Sequence, residues 1–322
     1  MIQKMLMQSC GYTSNVSADI KKQPPELKLN SANYTPDSIY WFRPYLASDY
    51  PELTCDKKYI FLYSTDHDSG QGGIYWGKGN NLNLSDFEEV GLIIDGYQAE
   101  TPFLMRFPQN DRPIHLYYHT TLNDPQNNGH QETKLITTTG GELHTADWTY
   151  EGHPLGTFPE DQHTGYLKFW ETQAGIIGTH YRKGSNAQTG YIGEWQYSTT
   201  VDGLTFQRGE IVNVLDNIEG NRRYVPSFGW FFEMYGKWWY IGSSESSVLP
   251  FGAGNETKQL IVAKSNSNLE FKKQLAILNN SQFTRNWEIY IEEEKELAHL
   301  YLNEKEDGLF YSTWDLKNLK QL

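Results

Sequence analysis

"KKYIFLYST" (Lys57–Thr65) is a short apolar and aromatic run that ends in small polar residues, the signature of a buried strand. The pattern returns as "RPIHLYYHT" (Arg112–Thr120), "AGIIGTHYR" (Ala174–Arg182), "GKWWYIGSS" (Gly236–Ser244) and "KELAHLYLN" (Lys295–Asn303). The copies stand roughly 55–63 residues apart, above the ~40–50 of familiar propeller repeats. A second strand precedes each copy: "SIYWFRPYL", "AETPFLMRF", "HTGYLKFWE", "VPSFGWFFEM" and "NWEIYIEEE". After each comes a polar hairpin with an aromatic partway, as in "GKGNNLNLSDFEEVG" or "STTVDGLTFQRG"; the last, "STWDLKNLKQL", is shorter. No window carries the spacing of an amphipathic helix of several turns.

Four strands per repeat, five repeats and no helices predict an all-β fold, a five-bladed β-propeller. Radial repetition leaves each blade only short edges and buries aromatic faces between blades. Paired β-sandwiches would not explain one strand order repeated at one period. The final repeat offers three good strands, so "PELKLN" (Pro25–Asn30) is expected to supply the fourth and close the ring. Residues 25–322 then form one propeller and residues 1–24 a flexible arm.

The 322 residues are 38% hydrophobic and 15% aromatic, with 28 glycines placed as turn punctuation between apolar runs. A formal net charge of -13 repels phosphate backbones and anionic lipid, which excludes nucleic acid as the expected partner. No stretch is apolar over the length that spans a bilayer. Cys10 and Cys55 give neither a disulfide framework nor metal-site spacing. With no phosphate-cradling glycine loop, zinc spacing or serine elbow either, no metal and no cofactor is expected. The run ending at Cys10 is similar to the end of a bacterial lipoprotein signal, although its apolar part is short. It suggests a periplasmic or extracellular location; a plain cytoplasmic start is the alternative.

In "GYQAETPFLMRF" (Gly96–Phe107) a glutamate opens an apolar strand, where an unpaired charge is costly. First strands of propeller blades line the central tunnel, so Glu100 joins a ring at one mouth. Trp41 and Arg43 come from the first blade, His163 from the third, Tyr224 or Ser227 from the fourth, and Trp287 and Glu288 from the fifth. Aromatic faces that stack on sugar rings and charged groups that bond hydroxyls and move protons suit a carbohydrate. Bland readings stand beside these. Glu100 could form a salt bridge with Arg43, and His163 could bond a backbone carbonyl. Asp66, His67 and Asp68 are adjacent and point to alternating faces, which argues against a shared metal. His119 and His180 lie on second strands, where packing is the simpler role, as it is for Trp238 and Trp239. Asp202 and Gly203 read as a hairpin turn, and the acidic run Ile291–Glu296 as a solvated turn.

The stretch "YSTDHDSGQGGIYWGKGNNLNLSDFEEVGLIIDGYQAETPFLMRF" resembles the five-bladed glycosidases of glycoside hydrolase families 43, 32 and 117. The shared cadence is a strand ending Ser-Thr-Asp, an "IYWGKG" strand, a polar hairpin and a Glu-x-Pro opening. The resemblance implies that Glu100, in Glu100-Thr101-Pro102, is the general acid. Three departures accompany it. Those families begin blade one with an aspartate, where this chain has "WFRPYL"; their second aspartate, next to an arginine, is also absent; and the glutamate falls in blade two rather than three.

Glycoside hydrolysis ordinarily uses two carboxyl groups, about 5–5.5 Å apart for retention or roughly 6.5–9.5 Å for inversion. Asp37, Asp66, Asp68, Asp161 and Glu288 are the candidates for the second, Glu288 being favoured because it opens blade five. Glu100 and Glu288 with His163 form the expected catalytic set, with Trp41, Arg43, Asp66, Tyr97, Tyr224 and Trp287 touching substrate. An aromatic-lined funnel and a second carboxylate would keep Glu100 protonated. Two other classes compete: a polysaccharide lyase using His163, Tyr97 and Arg43, and a carbohydrate-binding propeller without catalysis.

Overall fold

The computed structural model describes residues 39, 41–65, 72–97, 99–120, 124–125, 131–156, 161–172, 175–186, 190–212, 222–248, 258–265, 274–279, 286–304 and 308–321. For part of the longer strands this description covers backbone pairing alone. The expected arm, residues 1–24, and the expected closing strand, Pro25–Asn30, lie outside the described residues.

The described chain is all-β. The first sheet is β1 (Trp41–Leu46), β2 (Tyr59–Ser64), β3 (Ile74–Gly79) and β4 (Glu88–Ile94), antiparallel and in chain order. A second meander follows: β5 (Glu100–Arg106), β6 (Ile114–His119), β7 (Gln131–Thr138) and β8 (Thr149–Gly152). The third is β9 (Asp161–Thr172), β10 (Gly175–Asn186), β11 (Gly190–Thr200) and β12 (Gln207–Val212). Next come β13 (Arg222–Met234), β14 (Lys237–Val248), β15 (Lys258–Ser265) and β16 (Gln274–Asn279). The last sheet has three strands, β17 (Asn286–Glu292), β18 (Leu297–Glu304) and β19 (Gly308–Asp315). Helical structure among the described residues is limited to 3₁₀ turns at Ala47–Asp49, Glu293–Lys295 and Leu316–Gln321.

One feature departs from separate sheets. The second and third meanders merge, because β9 begins early enough for His163 and Thr164 to pair in parallel with Gln131 and Glu132 of β7. The twelve residues of β9 outrun the apolar run legible in the sequence; its first residues are polar and pair with β10 and β7.

The strand β2 shows why the repeated run is apolar throughout rather than alternating. Ile60 and Leu62 pack with Trp76, Leu104 and Leu116, toward the second meander. Phe61 and Tyr63 point the other way, against Phe42, Tyr301 and Leu309, toward the last sheet. A strand buried on both faces needs apolar residues at every position. The first sheet is therefore enclosed by its sequence neighbour on one side and by the end of the chain on the other. The Tyr301 hydroxyl donates to the Leu82 carbonyl at 2.8 Å across that second contact. The first strands are neighbours too: β1 lies beside β5 and β17, β5 beside β9, and β13 beside β17.

The hairpin of "STTVDGLTF" is structural, as its sequence suggests. Asp202 Oδ1 accepts from the Leu204 amide at 2.9 Å, and Gly203 adopts φ +71°. The Tyr117 hydroxyl donates to the Gly203 carbonyl at 2.6 Å, tying the third meander to the second. A Cβ on Gly203 would stand 2.2 Å from the Phe107 ring, so both conformation and space require glycine. Glu293 and Glu294 sit in an exposed turn, again as expected.

Candidate active site

The ladder between β5 and β6 pairs Glu100 with His119 and next pairs Phe103 with Tyr117. Two residues of β5, Thr101 and Pro102, therefore oppose one of β6, Tyr118, which is a β-bulge. Proline has no amide hydrogen to lose from the ladder, so it is tolerated at such a position. Thr101 takes φ +54°, a left-handed conformation that is uncommon for any residue with a Cβ and an outlier for a β-branched one. Strained backbone of this kind clusters at functional sites.

The bulge has a chemical consequence. In a regular strand successive side chains point to opposite faces, but here Glu100 and Thr101 both reach one imidazole. The Thr101 hydroxyl lies 2.7 Å from His119 Nδ1, and His119 Nε2 stands 2.5 Å from Glu100 Oε1. The Nε2 direction is off the line to Oε1, so this is a close contact rather than an aligned hydrogen bond. Glu100 is 2% exposed and His119 1%. Three residues upstream Tyr97, also left-handed at φ +53°, is 51% exposed. A buried carboxylate thus follows an exposed aromatic three positions along the chain.

Glu288 lives in different surroundings. Its Oε2 accepts from Arg43 Nη1 at 2.9 Å and its Oε1 from Lys168 Nζ at 2.6 Å, all three side chains being buried. The Arg43 guanidinium lies 3.9 Å from the Trp230 ring centre and 4.8 Å from that of Phe103, which stack on each other. Lys168 Nζ is 5.2 Å from the Trp41 ring centre. Burial pushes the Lys168 ammonium below its ordinary value; Glu288 opposes that shift and Arg43 adds to it. First strands of all five meanders contribute to this cluster, a set of charges clamped between aromatic faces.

The sequence-derived site is thus partly assembled. Arg43, Glu288 and Trp41 come together, and the guanidinium that the bland reading would have given to Glu100 pairs with Glu288. Glu100 stands against the His119 imidazole. His163 pairs through its backbone with Lys183 and Gln131, Tyr224 with Ser246 and Trp287 with Leu302; their side chains lie outside the described residues. Asp66, with Asp37 and Asp68, also lies outside them, as does the side chain of Asp161.

Four contributors escaped the sequence reading: His119, Thr101, Lys168 and Trp230. The rule that singled out Glu100, a charge inside an apolar strand, applies equally to Lys168 in "HTGYLKFWE". His119 was read as packing because second strands point at neighbouring sheets; the bulge turns it into a partner of Glu100. Among the described residues no group of histidine, cysteine and acidic side chains is arranged to hold a metal.

No protein-family model and no curated protein sequence matches the chain. Solved structures do. A glycoside hydrolase superposes with a TM-score of 0.62 at 12% identity, over 97% of this chain and 95% of that one. A family 117 glycoside hydrolase from the marine bacterium Zobellia galactanivorans gives 0.55 at 13% identity, over 94% and 92%. The GH93 α-L-arabinofuranosidase of Fusarium graminearum, solved with arabinobiose, gives 0.54 at 10% identity, over 94% and 98%. At such identities the likeness establishes the fold, the all-β propeller type of these glycosidases.

Proposed function

We propose that the chain is a glycoside hydrolase built as a five-bladed propeller, with Glu100 as general acid toward an oligosaccharide or polysaccharide. Five successive meanders and the packing of β17 against β1 support the blade count. The observation that carries the activity is Glu100 itself, a buried carboxylate on a left-handed bulge, against an imidazole, at the opening of a first strand. Stability alone gives no reason to place a β-branched residue at positive φ beside a buried acid.

In this reading Glu100 gives its proton to the glycosidic oxygen as the bond to the sugar breaks. Tyr97, exposed and three residues before the acid in sequence, offers a face for a sugar ring. Both oxygens of Glu288 are occupied by cations, so Glu288 organises the centre of the ring rather than serving as the second carboxylate. That role passes to Asp66 or Asp161, with His163 on the same rim. A substrate of this kind is met outside the cell, in keeping with a periplasmic or extracellular protein.

The test is product analysis on a panel of plant and algal polysaccharides and 4-nitrophenyl glycosides. Hydrolysis yields new reducing ends without ultraviolet-absorbing unsaturated sugars. Unsaturated products would make the protein a lyase. Binding without turnover across the panel would make it a carbohydrate-binding propeller.

A further inference from the structure

A general acid with two oxygens must present its proton on the one that meets the leaving group. What decides that here is His119, and what decides the state of His119 is Thr101. The imidazole is bracketed, with the Thr101 hydroxyl 2.7 Å from Nδ1 and Glu100 Oε1 2.5 Å from Nε2. A hydroxyl can donate to or accept from a ring nitrogen, whereas a carboxylate oxygen only accepts. The arrangement that uses both neighbours has the threonine proton pointing at Nδ1 and the ring proton on Nε2.

We propose that His119 is a positioning residue, a neutral imidazole that Thr101 locks with its proton on Nε2, against Oε1 of Glu100. The inference rests on Glu100 being the general acid. With Oε1 facing an N–H, the proton of Glu100 resides on Oε2. As that proton leaves for the glycosidic oxygen, negative charge develops on the carboxylate and Oε1 becomes the stronger acceptor. The N–H, off-line in the resting state, then aligns, as catalytic contacts often do once substrate is seated. The interaction grows during the reaction, so it lowers the barrier rather than merely tightening binding. His119 neither gains nor loses a proton in this scheme.

The geometry explains the strained bulge. A regular strand would point Thr101 away from the face of Glu100; the left-handed turn at Thr101 brings its hydroxyl back onto the same ring. Thr133, the ladder partner of His119 on β7, donates its hydroxyl to the Thr164 carbonyl at 2.6 Å.

The experiment combines nitrogen-15 NMR of the imidazole in the full-length protein with kcat on the unsubstituted phenyl glycoside of whichever sugar it turns over fastest, a leaving group that still needs its proton. In the wild type the His119 signals should show a protonated Nε2 and an unprotonated, pyridine-like Nδ1. Thr101→Ser should preserve both the tautomer and kcat. Thr101→Val, which keeps the β-branch and loses the hydroxyl, should mix the tautomers and lower kcat with little change in KM. His119→Ala should lower kcat by roughly 10–10²-fold, the worth of a hydrogen bond to a charged group. A wild-type ring protonated on Nδ1, or a Thr101→Val protein with unaltered kcat, overturns the inference even where Glu100→Gln is strongly impaired. If Glu100→Gln keeps wild-type kcat, Glu100 is not the acid and the role of His119 falls with it.

Discussion

Glu100 and Glu288 are both buried carboxylates on the first strands of their sheets, yet their surroundings differ in kind. Glu288 is held by two cations, Arg43 and Lys168, which are themselves backed by Trp230, Phe103 and Trp41. Glu100 meets an imidazole and has a strained threonine beside it and an exposed tyrosine before it. The first arrangement is closed, and every group in it restrains another. The second stores conformational strain and faces a group able to respond to its proton. On the proposed reading, burial alone does not separate a structural carboxylate from a reactive one; the chemistry of the nearest partner does.

The contrast is sharpest under the isosteric amide change. Glu100→Gln keeps the shape but supplies no proton, so kcat should fall on the order of 10²–10⁴-fold with the melting temperature nearly unchanged. Glu288→Gln should do the reverse. It leaves Arg43 and Lys168 buried without their counter-ion, a loss of about 3–5 kcal/mol for breaking a buried pair, seen as a lower denaturant midpoint. If the two variants exchanged phenotypes, the assignment of roles would be inverted.

A weaker effect separates both from a third buried group. His115 lies 3.1 Å from Asn110 Nδ2 through Nε2 and 3.2 Å from the Tyr117 hydroxyl through Nδ1, an arrangement satisfied by a neutral ring. Burial pushes its pKa from 6.5 down to about 4. A histidine lowered in the folded state binds protons more readily when unfolded, so stability falls as pH drops from 6.5 toward 4. The shift corresponds to at most about 3 kcal/mol. His115→Gln should flatten the stability profile across that window, as followed by urea unfolding at several pH values; an unchanged profile would place the acid sensitivity elsewhere. The smallest effect belongs to Tyr97→Ala. It should raise KM while leaving stability within about 0.5 kcal/mol, as for an exposed residue.

Much of the fold was legible because the repeated run "KKYIFLYST" records burial on both faces, and its recurrence fixes the strand order of every meander. The merging of the second and third sheets was not, since the early residues of β9 are polar and carry no burial signal. In the site, the oddity of Glu100 was visible as a charge ahead of an apolar strand. Its partner was not: a bulge shifts which side chains share a face, and "ETPF" does not disclose that Thr101 turns left-handed. Lys168 was legible in principle by the same rule that found Glu100. The pairing of Arg43 with Glu288 joins residues 245 apart in sequence, and the packing of β17 beside β1 brings the two together.

The claim that Glu100 donates the proton is tested most directly by a leaving-group series. Wild type and Glu100→Gln would be compared on aryl glycosides of one sugar, from strongly acidic to weakly acidic phenols. If Glu100 is the general acid, the variant should approach wild-type kcat on the most acidic phenol, which needs no proton, and fall progressively behind as the phenol weakens. A constant ratio of rates across the series would contradict the account, since the loss would then be independent of proton donation.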